Sequence, residues 1–233
     1  MKPPISGIFL AQTTASPPMR HLLHTCRALT AMLALAVPLA TARAAPAEVQ
    51  LTPQDTLVLQ RVAAYLNSIH TMTARFSQLA GNGARSAGEM YISRPGRMRF
   101  EYDKPSPITL IADTFYVYYW DKEIHQVQQV GLKSTPAWFF LRDPINFNAD
   151  SVVTGFQRLD NEVHVTVVER ARPDEGSLTM VFTENPLQLR QWTVVDQQGK
   201  TTTVSLSGLQ YGVALDPKLF QYNDPLARTL KEN

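Results

Sequence analysis

Short segments of alternating apolar and polar residues, separated by turn residues, fill most of this chain. In residues 97–103, Met98, Phe100 and Tyr102 alternate with charged residues and would project from one face of a strand. Eleven such segments follow one another, at residues 72–79, 88–93, 97–103, 108–112, 115–120, 124–130, 152–159, 163–170, 178–183, 189–195 and 201–209. The succession predicts a mainly β (α+β) fold, in which an antiparallel sheet of about eleven strands curls into a barrel or half-barrel.

Two segments of the sequence are predicted to form helices. Residues 53–67 follow Thr52, which is a good capping residue, and their apolar side chains recur at the spacing of one helical face. Residues 136–141 follow a similar candidate cap, Thr135, and begin with proline, which suits the first helical position. This second helix is too short to bury its four large apolar side chains by itself. We therefore expect it to lie against a large apolar surface.

The first 44 residues predict a secretory signal peptide that is cleaved after Ala44. Basic residues precede an apolar run at 28–37, which is too short to span a bilayer, and an Ala-Arg-Ala site follows it. Translation from Met19 would give a signal peptide of more usual length, and a buried core helix is the alternative interpretation of the apolar run. The pattern predicts export across the inner membrane into the periplasm.

The cysteine content and the charge limit what the exported chain can do. The single cysteine, Cys26, precedes the apolar run, so we expect the mature chain to have no lipid anchor, disulfide or cysteine ligand. After residues 1–44 the chain holds 18 basic and 20 acidic residues, whereas a nucleic-acid-binding protein needs a basic surface. We predict one domain over residues 45–225, a disordered tail over 226–233 and no nucleic-acid partner.

No arrangement of residues in the sequence is typical of catalysis or of metal binding. The histidines after the signal peptide, His70, His125 and His164, are far apart along the chain. Metal-ligand spacings, a nucleophile motif and glycine-rich nucleotide loops are missing. We therefore predict a protein that is not an enzyme and that uses no metal and no cofactor.

The apolar faces of the predicted strands leave two interpretations open. A packed core is the default for such a set of side chains, and a cavity for an apolar ligand is the alternative. The need to cover two apolar helices favours the cavity. The inward-facing residues are Met72, Phe76, Met90, Ile92, Met98, Phe100, Leu110, Val117 and Tyr119.

Several short motifs lie in an order that is characteristic of one protein family. They are Phe76-Ser77-Gln78, the stretch 88–102, Pro105, the stretch 110–113, Gln126-Val127, Thr135-Pro136 and Leu219-Phe220. Together they resemble the LolA family, periplasmic carriers of lipoproteins to the outer membrane, over residues 52–225. The resemblance implies a single unclosed antiparallel β-barrel with a lid of short α-helices, whose cavity takes the acyl chains of lipoproteins.

The resemblance also implies partners. As a family member, the chain would receive acylated lipoproteins from an inner-membrane ATP-driven transporter and deliver them to an outer-membrane acceptor, and it would act as a monomer. Two alternatives stay open. One is a related periplasmic half-barrel that binds a glycolipid or another apolar ligand, and the other is a lipid-sensing regulatory module.

Finally, the resemblance assigns roles to single residues. Arg94 matches an arginine that ties the lid helices to the barrel by hydrogen bonds to their backbone carbonyls. The matching cavity and lid positions are Leu66, Met72, Met98, Phe100, Trp138 and Phe140. At residues 113–114 the chain has Asp-Thr where the family usually has Asp-Gly, so we expect this hairpin to differ.

Overall fold

The computed structural model describes residues 47–223 of the chain. The predicted signal peptide, the predicted tail and both predicted domain boundaries lie outside the described residues. Two α-helices, α1 (Pro53–Ser68) and α2 (Ala137–Leu141), accompany the strands. The strands are β1 (Thr71–Ala80), β2 (Arg85–Ser93), β3 (Arg97–Tyr102), β4 (Ile108–Asp113), β5 (Tyr116–Asp121), β6 (Gln126–Gly131), β7 (Ser151–Leu159), β8 (Glu162–Glu169), β9 (Gly176–Glu184), β10 (Leu187–Asp196) and β11 (Thr201–Tyr211).

All eleven strands form one antiparallel sheet, in the order β6-β5-β4-β3-β2-β1-β11-β10-β9-β8-β7. Each strand except β1 and β11 pairs only with its neighbours along the chain, while β1 and β11 pair with each other in the middle of the sheet. The strands β6 and β7 occupy the two edges, so the barrel is not closed. The predicted fold class, a mainly β protein with an unclosed antiparallel barrel of eleven strands, is confirmed.

The apolar face of the sheet is continuous across strands because the register places the alternating side chains side by side. Met72 on β1 lies opposite Ile92 on β2, and Met90 on β2 lies opposite Phe100 on β3. These residues are buried in one cluster that also includes the apolar face of α1. We call this side of the sheet the inner face.

The helix α1 begins and ends where the sequence predicts, within one residue. The Thr52 hydroxyl accepts a hydrogen bond from the backbone N–H of Asp55 (3.1 Å), which satisfies one of the free donors of the first turn. The apolar stripe of the helix, which includes Val62 and Leu66, is buried against the inner face. Burial of this stripe holds α1 across the open side of the sheet.

The helix α2 is present as predicted, but the predicted cap is wrong. Pro136 occupies the N-cap position with helical dihedral angles, and no side chain caps the helix. The Thr135 hydroxyl instead donates to the carbonyl of Leu132 (2.7 Å), because residues 132–134 form a turn of 3₁₀-helix directly before it. Below, α1 and α2 together are called the lid.

A turn also explains why β6 begins later than predicted. The carboxylate of Asp121 accepts hydrogen bonds from the backbone N–H groups of Glu123 (3.0 Å) and Ile124 (3.4 Å). An aspartate in this position stabilises a turn at the expense of the strand. The predicted strand 124–130 therefore starts at Gln126.

The outer face of β3–β5 is covered by the end of the described chain, which we call the C-terminal strap (residues 217–222). Phe220 on the strap is 2% exposed, and the carbonyl of Leu219 accepts a hydrogen bond from Arg99 Nη1 (3.0 Å). Tyr222 stacks on Tyr118 of β5, with ring centroids 4.8 Å apart. Because this part of the sheet is covered on both faces, β4 is buried over five consecutive residues.

In the turn between β4 and β5, a threonine holds the position where the family pattern has glycine. Thr114 adopts a positive φ of 94°, and the Asp113 carboxylate holds the turn by accepting from the backbone N–H groups of Phe115 and Tyr116. Gly96 lies against Thr114 and also has a positive φ of 77°. Its N–H donates to the carbonyl of Leu141 (2.8 Å), so this corner of the sheet contacts the lid.

We expect Thr114→Gly to raise the free energy of unfolding by about 1 kcal/mol, because glycine adopts a positive φ without steric cost whereas threonine is strained there. Urea denaturation of the purified protein measures the change. Gly96→Ala is the opposite case, because its new Cβ would lie 2.8 Å from the Cα of Thr114. A lower unfolding free energy in Thr114→Gly would contradict the assignment of strain.

Candidate functional site

A small chamber lies between the lid and the inner face of the sheet. Its volume is about 30 Å³, which is room for about one or two water molecules. Six of the residues predicted from the sequence line it, namely Leu66, Met72, Ile92, Arg94, Met98 and Phe140. The remaining lining residues are Ile69, Pro136, Ala137, Ile145, Leu189, Trp192 and Val194.

The other predicted cavity residues lie elsewhere in the fold. Five of them are fully buried in the core cluster around the chamber: Phe76, Met90, Phe100, Leu110 and Val117. Tyr119 is on the inner face but only half-buried, and burial together with the charge of Asp121 raises its pKa to about 12. Trp138 lies on the opposite side of α2 from Phe140 and does not contact the chamber.

A column of aromatic rings runs from α2 across the inner face of the sheet. The ring centroids of Phe140 and Trp192 are 5.0 Å apart, those of Trp192 and Phe100 are 6.4 Å apart, and those of Phe100 and Phe76 are 4.8 Å apart. Phe140 comes from α2, while the other three rings belong to the sheet. Phe140 thus packs against the aromatic rings of the sheet, and its displacement would enlarge the chamber.

Trp192 was not among the predicted site residues, although its strand alternates as an inner-face strand should. A bulge at Arg190 shifts the register between Leu189 and Gln191 and interrupts the alternation of inner-face and outer-face residues along β10. Leu189 and Trp192 consequently both face the chamber despite an odd spacing of three residues.

Arg94 joins the sheet to both parts of the lid. Its guanidinium donates to the carbonyls of Leu66 and Ile69 at the end of α1, and to the carbonyl of Arg142 directly after α2. A further hydrogen bond of 3.4 Å reaches the side chain of Asn67. The side chain of Arg94 is only 2% exposed, so these carbonyls replace the water that would otherwise solvate its charge.

The charge of Arg94 is held mainly by these backbone carbonyls. Burial lowers the pKa of its guanidinium, and the nearby carboxylate of Asp143, at 3.8 Å, acts in the opposite direction. Arginine nevertheless stays protonated in proteins. The end of α1 thus accepts hydrogen bonds from a permanent cation. This contact is stabilising, because the C-terminal end of a helix is the negative end of its dipole.

Arg142, directly after α2, connects the lid to β7. Its Nη2 donates to the carbonyl of Asn146 (2.9 Å) and to the hydroxyl of Ser151 on β7 (3.3 Å). Its guanidinium lies over the ring of Phe139, 4.7 Å from the centroid. Sequence reasoning missed this residue, because a single arginine after a short helix has no distinctive pattern.

A second, larger cavity lies on the other side of α2, and we call it the outer pocket. Its volume is about 700 Å³. Its apolar surface comes from α2 and from the inner face of β8–β10, through Trp138, Phe139, Val167, Leu178 and Val194. Its rim carries four basic and four acidic residues, namely Lys133, Arg142, Arg170, Arg172, Asp150, Glu169, Glu175 and Asp196.

Within residues 47–223, no group of histidine, cysteine, aspartate and glutamate side chains is arranged to hold a metal ion. In the same part of the chain, no helix is both long enough and apolar enough to cross a membrane.

Comparison with known proteins gives a consistent family match. The model of the family described as "Outer membrane lipoprotein carrier protein LolA" matches residues 67–223. An outer-membrane lipoprotein carrier protein of Legionella pneumophila is 32% identical over 168 residues, covering 69% of this chain and 82% of that protein. One of Pseudomonas aeruginosa is 28% identical over 180 residues, covering 73% and 86%. A LolA superfamily structure from Nitrosomonas europaea has a TM-score of 0.42 at 9% identity, covering 74% of this chain and 99% of that one.

Proposed function

Because the chain belongs to the LolA family of outer membrane lipoprotein carrier proteins, we propose that it carries lipoproteins through the periplasm. It receives acylated lipoproteins from an inner-membrane ATP-driven transporter and passes them to an outer-membrane acceptor. It acts as a monomer and binds the acyl chains without catalysis, metal or cofactor. The observation that supports this function best is the apolar inner face beneath a lid that Arg94 ties to the sheet by hydrogen bonds to its backbone carbonyls.

The lid covers the apolar inner face when no lipoprotein is bound. An exposed apolar face of this extent would associate with membranes or with other copies of the chain. In the closed state the aromatic ring of Phe140 takes the place of the ligand on Trp192. The acyl chain then replaces Phe140 when the lid opens, so apolar surface is covered in both states.

The energetics favour direct hand-over. Burial of one methylene group is worth about 0.8 kcal/mol, so a sixteen-carbon acyl chain would cost on the order of 12 kcal/mol to expose to water. Spontaneous release into the periplasm is negligible at that cost. Delivery therefore requires contact with the acceptor, and no nucleotide needs to bind the carrier itself.

Mass spectrometry of the material that co-purifies with the exported protein tests the function. We expect triacylated lipoproteins, and we expect them to transfer to vesicles that contain the outer-membrane acceptor. Recovery of a glycolipid would support the alternative apolar ligand. Recovery of a protein partner without acyl chains would support the regulatory module and contradict the carrier function.

A further inference from the structure

The outer pocket offers far more space than the chamber while the lid is in place. Its volume of about 700 Å³ compares with about 30 Å³ for the chamber, and it falls in the range of roughly 300–1,000 Å³ that small-molecule sites occupy. The two spaces lie on opposite sides of α2, and both contact Pro136 and Val194. An apolar ligand can therefore reach the outer pocket without any movement of the lid.

We propose that the outer pocket is a second binding compartment, which takes one neutral, ester- or amide-linked acyl chain of the cargo before the lid opens. This inference rests on the proposed function, because it concerns how the same cargo enters. The chain lies on Trp138 and Phe139, next to the helix that must move. Its presence there brings the remaining acyl chains to the edge of the chamber at high local concentration.

The charges around the pocket select the class of ligand. The four basic side chains on the rim are matched by four acidic ones, and Arg172 is paired directly with Glu169 (2.8 Å) and Glu175 (2.7 Å). A rim with balanced charge gives no net attraction for a carboxylate or phosphate. It therefore fits an uncharged head group better than a free fatty acid or a phospholipid.

Tryptophan quenching by a brominated lipid distinguishes the two compartments, because Trp138 borders the outer pocket and Trp192 borders the chamber. The probe is a monoacylglycerol of dibromostearate. One reporter keeps only Trp138 and the other keeps only Trp192, with phenylalanine at the remaining tryptophan positions. With Arg94 intact, we expect Trp138 to be quenched at a probe concentration at least about tenfold lower than Trp192. In an Arg94→Leu background both should be quenched at similar concentrations.

Equal midpoints for the two reporters in the protein with Arg94 intact would overturn the proposal. Ala149→Phe places a ring at the edge of the pocket and should weaken quenching of Trp138 at least about tenfold, whereas Ala64→Phe on the exposed side of α1 should not change it. Tighter binding of free dibromostearate than of the monoacylglycerol would overturn the assignment to neutral ligands.

The outcome for the pocket can be separated from the outcome for the carrier function. If lipoproteins co-purify but Trp138 is not quenched first, the second compartment is wrong and the carrier function stands. If Trp138 is quenched first but no lipoprotein co-purifies, the carrier function is wrong, while the outer pocket remains a site for neutral acyl lipids.

Discussion

Arg94→Leu should leave the sheet folded and lipoprotein loading normal, but it should deliver lipoprotein to the acceptor at least about tenfold more slowly. The substitution removes the donors that hold Leu66 and Ile69 of α1 and the carbonyl of Arg142. Without them the lid stays open after loading. Closure then no longer competes with the cargo, so the carrier holds the acyl chains too well.

The size of the effect follows from the number of bonds lost. A hydrogen bond to a charged group contributes about 1.5–3 kcal/mol, so the loss of two shifts the equilibrium between the closed and open lid by about a hundredfold or more. The shift acts on the lid and leaves the strand pairs intact. Transfer from the purified, loaded protein to acceptor-containing vesicles measures the rate.

Two variants complete the test of Arg94. Arg94→Lys should behave like Arg94→Leu, because an ammonium group cannot reach several helix-end carbonyls at once as the guanidinium does. Arg75→Leu is the matched control, since Arg75 forms exposed ion pairs with Asp103 and Glu89 away from the lid. Delivery at the normal rate by Arg94→Leu would show that Arg94 is not the residue that holds the lid.

Met98→Glu should abolish cargo binding without unfolding the protein. Met98 is 3% exposed and lines the chamber. A carboxylate in the closed chamber would lose several kcal/mol of hydration, but it regains water when the lid opens. The lost hydration of the carboxylate therefore opposes closure of the lid, and the charged chamber no longer accepts an acyl chain. We expect co-purified lipoprotein to fall at least about tenfold, with an unchanged circular dichroism spectrum.

Met90→Glu is the matched control for this prediction. Met90 is fully buried between Ala74 and Phe100 on the neighbouring strands and lies beside the chamber without lining it. Lid movement cannot hydrate a charge there, so this variant should not fold. If Met98→Glu unfolds in the same way, the space beneath the lid is an ordinary core and the binding chamber is wrong.

The sequence predicted the strands well because one face of almost every strand is buried. Residues 97–103 illustrate this, since the alternation of Met98 and Phe100 with charged residues matches the observed strand β3 and its buried face. The short helix 136–141 was predicted for a different reason, from the candidate cap Thr135, the proline at its start and the run of four large apolar residues. The strand signal comes from burial, which leaves a periodic trace in the sequence.

Features that depend on contacts between distant segments were not predictable in the same way. The bulge near Arg190 hides the role of Trp192, and the lid contacts of Arg142 arise only when β7 lies beside α2. The C-terminal strap leaves no periodic signal, because Phe220 packs on the outer face as a single side chain. The volume of the chamber is set by a few rotamers, among them that of Phe140, which no sequence pattern specifies.

The pairing of β1 with β11 has a consequence for how the molecule reaches its native state. The strands β1–β6 and β7–β10 each form from local hairpins, but only β11 joins these two groups, through contacts such as Met72 with Tyr211. Contacts between segments so far apart in the chain form slowly. Until β11 pairs with both β1 and β10, the apolar inner faces of the two groups are not joined into one continuous surface. Folding chains are thus most prone to aggregate before this last strand pairs.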